Sequence, residues 1–430
     1  MRNKRSRKKS NIRKKNTKKT LSILVLILII FILTAIINNT LTKNNNNLEN
    51  DVNLSTENSK RDAKTDEANL NSESQTMEKQ ESDITFTMAV TGDIMCHNTI
   101  YMDAYNSSKK EYDFSYIFED VKFHIQTADI AVGNLETTFA GSKVGYSGYP
   151  TFNTPETLAK NLKKVGFDVV STANNHSLDK GYNGIVNTIK YLDEADLSHT
   201  GTYSSEEASK EILIKNVKGV KIAFLSFTYG TNGISIPKGK EYCINLNDKE
   251  TILEQLKLAR EQEPDMICVS MHWGVEYQTK QNSTQEDLAD FLFENGADVI
   301  LGNHSHVPQP MEKRTIKLDD GTKKDGFVIY SLGNFLANQN YKYTSDSAIL
   351  NLQITKKAET GKISIDNITY APTYIYKDTS KSKQRFKILD IESTIEAYDA
   401  GYDKSIGKTM YNTLKTELKN IKNIIGKEIK

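Results

Sequence analysis

Cysteine is scarce in this chain: Cys96, Cys243 and Cys268 are the three among 430 residues. An odd and widely spaced set argues against a disulfide framework, and Cys268, inside an apolar run, reads as a plain core residue. Net charge is also nearly absent, with 56 Lys and Arg against 55 Asp and Glu. The chain as a whole therefore has no electrostatic pull toward nucleic acid. No internal repeat is visible, and long uncharged apolar runs are missing with one exception. Length and a mean hydropathy of -0.54 allow one large domain or two ordinary ones.

The exception is residues 21–37, LSILVLILIIFILTAII. As a helix it would extend about 25 Å, enough with its flanks to cross a hydrocarbon core. Residues 2–19 before it carry eleven Lys and Arg and no acid. By the positive-inside rule that block stays in the cytoplasm and the rest lies outside. No small-x-small site follows the apolar run, which favours an uncleaved anchor over a signal peptide. Residues 1–20 are thus expected as a basic cytoplasmic segment and 21–37 as a single transmembrane helix in the cell membrane. Residues 38–82, rich in Asn, Glu, Ser, Thr and Lys, cannot bury enough apolar surface to offset chain entropy and are expected as a disordered linker.

From residue 83 short apolar runs alternate with helical patterns. Strands are expected at 84–90, 129–132, 167–170, 221–227, 266–271, 297–301 and 327–332, and helices at 116–127, 154–165, 182–195, 250–262 and 284–294. This is an α/β order whose sheet is covered on both faces. The carboxyl ends of such strands collect the ligand site, and polar clusters stand there repeatedly: Asp93, Asn134 with Glu136, Asn174 with Asn175 and His176, His272, then His304 and His306 in GNHSH, and Asn334. Four of the seven histidines fall in these clusters. Each alone has an ordinary reading, as a turn residue, a helix cap, a surface acid or a core histidine. Together they supply carboxylate, amide oxygen and imidazole, a donor set suited to a pair of Mn, Fe or Zn ions. His97, His124 and His199 are left to structural roles.

The ordered motifs TGDIM, GNLE, ANNH, MHWG, GNHSH and SLGNF, with TFNTPE and GFDVVSTANNHSLDKG, resemble the CapA/PgsA-type family of capsule synthesis associated with poly-γ-glutamate, itself similar to calcineurin-like metallophosphoesterases. The resemblance covers about residues 84–376. It implies a four-layer αββα sandwich over 83–378. It also implies metal ligation by Asp93, Glu136, Asn175, His272, His304 and His306, and leaving-group protonation by His176. Asn134, Asn174 and Asn334 are expected to support the ligands or touch substrate. Met95 stands where the phosphoesterase pattern has an imidazole, and Asn134 where it has a bridging carboxylate that Glu136 would restore. His97 would compensate for Met95 only if the strand geometry continued. The attacked centre is a phosphoryl group or an amide carbonyl. A second reading has no catalysis: an anionic polymer such as poly-γ-glutamate is gripped by the metals and by Tyr146, Tyr149 and Phe152 around the loop 141–148, in aid of membrane synthase subunits.

In residues 379–430, Ile406, Met410, Leu414, Leu418, Ile421 and Ile425 recur at helical spacing between lysines. Such a stripe packs onto the sandwich or docks on a membrane partner.

Overall fold

A computed structural model describes residues 82–429 apart from 318–320, 322, 403 and 404. The basic segment, the expected transmembrane helix and the linker up to residue 81 lie outside the described residues. Among the described residues no helix is long and apolar enough to cross a membrane.

The strands in chain order are β1 (Ile84–Ile94), the short hairpin β2 (Tyr105–Asn106) and β3 (Glu111–Tyr112), β4 (Ile130–Leu135), β5 (Val169–Ser171), β6 (Ser198–Thr200), β7 (Leu213–Val217) and β8 (Val220–Thr228). They continue as β9 (Met266–His272), β10 (Val299–Asn303), β11 (Met311–Lys317), β12 (Lys323–Ile329), β13 (Asn334–Leu336), β14 (Asp346–Lys356), β15 (Ile363–Lys377) and β16 (Phe386–Asp390). One sheet runs β16-β15-β14-β1-β4-β5-β6, with β13 also paired to β1, and the other β11-β12-β10-β9-β8-β7.

Alternation within the strands decides how the sheets stack. Phe86, Met88 and Val90 of β1 share a buried cluster with Ile222 and Phe224 of β8 and with Val299 and Leu301 of β10, while the intervening Ala89 joins Leu158, Leu162 and Leu192 of the outer helices. In β8 the intervening Ala223, Leu225 and Phe227 meet Ile252, Leu256, Leu288 and Leu292 of two further helices. With successive side chains on opposite faces, the sheets lie face to face and helices cover both outer faces: a mixed α/β sandwich.

Local chemistry sets the helix ends that feed the strands. Asn282 accepts from Gln285 N at 2.9 Å while Gln285 Oε1 accepts from Asn282 N at 3.1 Å, a reciprocal cap that starts Ser283–Glu294. Asp248 caps Lys249–Glu261 through Thr251 N. Gly166, at φ 119°, ends Thr157–Val165.

Residues 379–430 contribute directly to these layers. Phe386–Asp390 forms the edge strand β16. In the helix Lys408–Ile425, Leu414, Ile421 and Ile425 are fully buried in the inter-sheet cluster, with Met410 and Leu418 packed against it. The apolar stripe is therefore consumed by packing.

Candidate metal centre

The carboxyl ends of the parallel strands of both sheets meet at one seam. The first sheet brings oxygen donors. Asp93 ends β1 in register with Asn134 on β4 and with Asn334 on β13, and the Asn134 amide donates to Asp93 Oδ1 at 2.7 Å. Glu136 follows β4, and Asn175 and His176 follow β5. The second sheet brings imidazoles: His272 at the end of β9, His304 and His306 after β10. The seam closes where His304 N donates to Asp93 Oδ2 at 3.2 Å and His306 Nδ1 approaches the same oxygen at 3.4 Å.

His304 and His306 reach the seam by a route other than a continuing strand. Their φ values are 95° and 59°, left-handed conformations that cost a bulky residue of order 1–3 kcal/mol each. Just before the bend, Gly302 lets β10 pass close against the chain at Tyr330, since a Cβ there would lie 2.0 Å from the Tyr330 carbonyl oxygen. The two rings end 5.9 Å apart.

Nine of the ten expected site residues converge here. Asn175 Oδ1 lies 3.0 Å from His272 Nε2, and Glu136 Oε1 lies 3.6 Å from the same nitrogen. Asn334 donates through Nδ2 to Gln339 Oε1 and to the Thr344 carbonyl, which turns its Oδ1 toward His306 Nδ1 at 3.2 Å. That bond places the ring proton on Nδ1 and leaves Nε2 as the donor atom. His176 is held by Asp179 Oδ2 at 2.7 Å. Asn174 is the exception: its amide donates to the Leu135 carbonyl and its Oδ1 accepts from His176 N, so it builds the turn.

Met95 does not stand in for an imidazole at the seam. Beyond the bulge between Val90 and Asp93 its side chain is buried in the outer cluster of the first sheet with Ile94 and Phe335. Of the loop residues, Phe152 is fully buried and Tyr146 donates to Glu156, while Tyr149 is 76% exposed.

Four neighbours escaped the strand-end pattern. Glu276, four residues past His272, lies 3.8 Å from His306 Nε2; a carboxylate so soon after an imidazole in MHWGVE was the available signal. Tyr229, just past β8, sets its ring 4.5 Å from His304. Asn232 faces Asn175 and His176. Burial first, and then the imidazoles of His306 and His176, lower the pKa of His97 to about 4.

The electrostatics fit a cation. Both Glu136 carboxylate oxygens and His304 Nδ1 are buried without a hydrogen-bond partner, an arrangement too costly to leave uncompensated. Burial, then the charges of Asp93 and Glu276, push the Glu136 carboxyl well above its ordinary range. Burial and the neighbouring imidazoles hold His272 far below the ordinary imidazole value and His304 at about 3, so both rings are neutral at physiological pH with lone pairs to give. Three groups hold ligand atoms within 4.8 Å of one another: Glu136, His272, His304; Asp93, Glu136, His306; and Glu276, His304, His306. The first two share Glu136 alone. A cavity of about 560 Å³ lined by Glu206, Tyr242 and Gln255 lies elsewhere and contains none of these donors; chemistry, not hollow volume, marks the site.

A two-sheet α/β sandwich with carboxylate, amide and imidazole donors at its strand ends defines the class. The profile described as "Bacterial capsule synthesis protein PGA_cap" matches residues 87–339, and the chain belongs to that family. It is 32% identical over 272 residues to the capsule biosynthesis protein CapA of Bacillus anthracis, covering 61% of this chain and 62% of that protein. It is 30% identical over 322 residues to the PGA biosynthesis protein CapA of Bacillus subtilis, covering 73% and 80%. Among solved structures it is similar to a phosphatase of Mycoplasma pneumoniae at 14% identity and a TM-score of 0.40, over 67% of this chain and 93% of that one.

Proposed function

We propose that this protein is a membrane-anchored, extracytoplasmic member of its family that acts on a capsule or other anionic surface polymer, such as poly-γ-glutamate, through a metal-dependent hydrolase-like site. The basic block at 2–19 and the apolar run at 21–37 support the anchoring. The names of the Bacillus relatives support the capsule and polymer role. The observation that carries the hydrolase reading is the unpartnered Glu136 carboxylate shared by two ligand groups. His272 and His304 would complete one ion site, Asp93 and His306 the other, with Asn175 beside the first. Two Mn, Fe or Zn ions held there would supply Lewis acidity, making water a better nucleophile and offsetting charge on an attacked phosphoryl or amide group. His176, with Nδ1 held by Asp179 and Nε2 facing the Asn232 amide at 3.5 Å, would carry a proton on Nε2 to the leaving atom.

One observation favours binding without turnover. Tyr277 stacks on Tyr341 at 4.3 Å and lies 6.0 Å from His306, while Tyr341 and Tyr149 are 63% and 76% exposed. Such rings suit an extended chain lying across the mouth of the site.

Elemental analysis of the full chain, purified in detergent without chelator, tests the proposal against a His304→Ala, His306→Ala variant. Near two ions per chain, lost in the variant, is the expected result. A wild-type chain that takes up no Mn, Fe or Zn refutes the metal site. Shortened polymer or released phosphate then separates hydrolysis from binding alone.

A further inference from the structure

We infer that His97 is a substrate-binding residue whose Nε2–H donates a hydrogen bond to an anionic oxygen of the substrate, phosphate or carboxylate, beside His176. The inference rests on the hydrolase-like reading of the site and adds a contact that the metal ligands do not provide.

His97 is the residue from which the helix Asn98–Ala104 starts, and its side chain makes no cap. Its ring meets the edge of Phe152 at 5.3 Å and 85°, and Phe152 in turn meets His176 at 4.7 Å and 88°. Phe152 is fully buried, and its N–H donates at 2.6 Å to Asp179 Oδ2, the oxygen that also holds His176. One phenyl ring thus fixes the two imidazoles on either side of it.

The hydrogen bond to His97 decides its chemistry. Asn338 N donates to His97 Nδ1 at 3.2 Å. A ring nitrogen that accepts from a backbone amide carries no proton, so the neutral ring must hold its proton on Nε2. His97 therefore has no lone pair left for a cation, and it appears in none of the three ligand groups. The Asn338 side chain donates to Thr99 Oγ1 at 2.8 Å, tying this segment to the start of the same helix. Nε2 has no protein partner among the described residues, and His97 is only partly buried. His176 is wired the opposite way, with its Nδ1–H toward Asp179. The pair divides the work: His176 exchanges a proton, and His97 is a fixed, uncharged donor.

The test uses the full chain in detergent with His97→Phe, which keeps an aromatic ring without the donor, and His97→Gln, whose amide restores an acceptor and a donor. In metal-free protein labelled with 15N-histidine, the His97 resonances, assigned by their loss in the variants, are expected to show an unprotonated Nδ1 and a protonated Nε2. The reverse tautomer overturns the inference. After loading with Zn, metal content is expected to be unchanged in both variants. Binding of inorganic phosphate, followed by calorimetry, is expected to weaken roughly 10- to 100-fold in His97→Phe and to recover substantially in His97→Gln. Equal phosphate affinity in wild type and His97→Phe, or loss of metal with either variant, overturns the inference and leaves the metal site standing. A wild type that takes up no metal refutes the hydrolase-like reading and this inference with it.

Discussion

Asp346 offers a test of the packing that needs no knowledge of the substrate. It begins β14, is 1% exposed, and its Oδ2 has no hydrogen-bond partner. Burial first, and then the Glu417 carboxylate on the helix Lys408–Ile425, raise its pKa from 3.8 to about 9. The folded carboxyl keeps its proton at neutral pH, whereas the unfolded chain gives it up above pH 3.8. Between these values the folded state binds more protons, so this group's contribution is most favourable below about pH 4 and is lost progressively as pH rises toward 9. At pH 7 the interval above 3.8, at 1.36 kcal/mol per pH unit, corresponds to about 4 kcal/mol of destabilisation. Asp346→Asn removes that penalty and can donate to Glu417. For a folded unit of this size the variant should melt about 5 °C higher at pH 7, with the gap closing near pH 4 and widening toward pH 9. Thermal unfolding followed by circular dichroism across that range measures it. Parallel wild-type and variant profiles, or a less stable variant at pH 7, would refute the reasoning.

Metal uptake should release protons, because burial and the charges of Asp93 and Glu276 favour the protonated form of Glu136 in the metal-free site while His272 and His304 are already neutral. Calorimetry in buffers of different ionisation heat reads this directly, affinity should rise with pH, and Glu136→Gln should lose both the release and at least one ion. His176→Ala should retain the wild-type metal content and lose roughly 100- to 10,000-fold in turnover of any substrate that wild type cleaves; unchanged turnover would remove His176 from the chemistry. Gly302→Ala should destabilise the fold by at least about 2 kcal/mol and reduce metal content, since its Cβ would drive into the Tyr330 carbonyl oxygen; a denaturation midpoint equal to wild type would contradict the close approach.

Most of the parallel strands and most of the donors were legible because a donor cluster follows on an apolar run, and a buried strand ends where its polar residues begin; the three-residue strands β6 and β13 are too short to show such a run. What escaped did so for physical reasons. Glu276 stands in the coil after Trp273 and Gly274 with its side chain 43% exposed, so no apolar run points at it. Met95 occupies the place of an imidazole in the phosphoesterase pattern, and because the register shift in β1 has no local signature, only the fold shows its side chain buried in the outer cluster with Phe335. His97 is recruited by Asn338, a partner 241 residues away. β14 carries a readable alternation, yet its place beside β1, where the parallel strands give way to an antiparallel run through β15 and β16, depends on a pairing that only the folded sheet reveals. The left-handed turn of His304 and His306 is likewise a tertiary result.

The division of donors between the sheets explains why single motifs said so little. Asp93, Asn134, Glu136 and Asn175 belong to one sheet, His272, His304 and His306 to the other, and neither set alone surrounds a cation. Their convergence depends on the inter-sheet cluster that joins Phe86 and Val90 to Phe224 and Leu301. The unpartnered Glu136 carboxylate is then a cost imposed by that packing, and it lies where the neutral imidazoles of the opposite sheet present their nitrogens. A cation binding there would take the place of the Glu136 proton, satisfy the unpartnered oxygens and cross-link the sheets at the point where His304 N already meets Asp93. Metal affinity and sheet packing are thereby linked, so a core substitution that shifts one sheet against the other should weaken the ion site without touching any ligand.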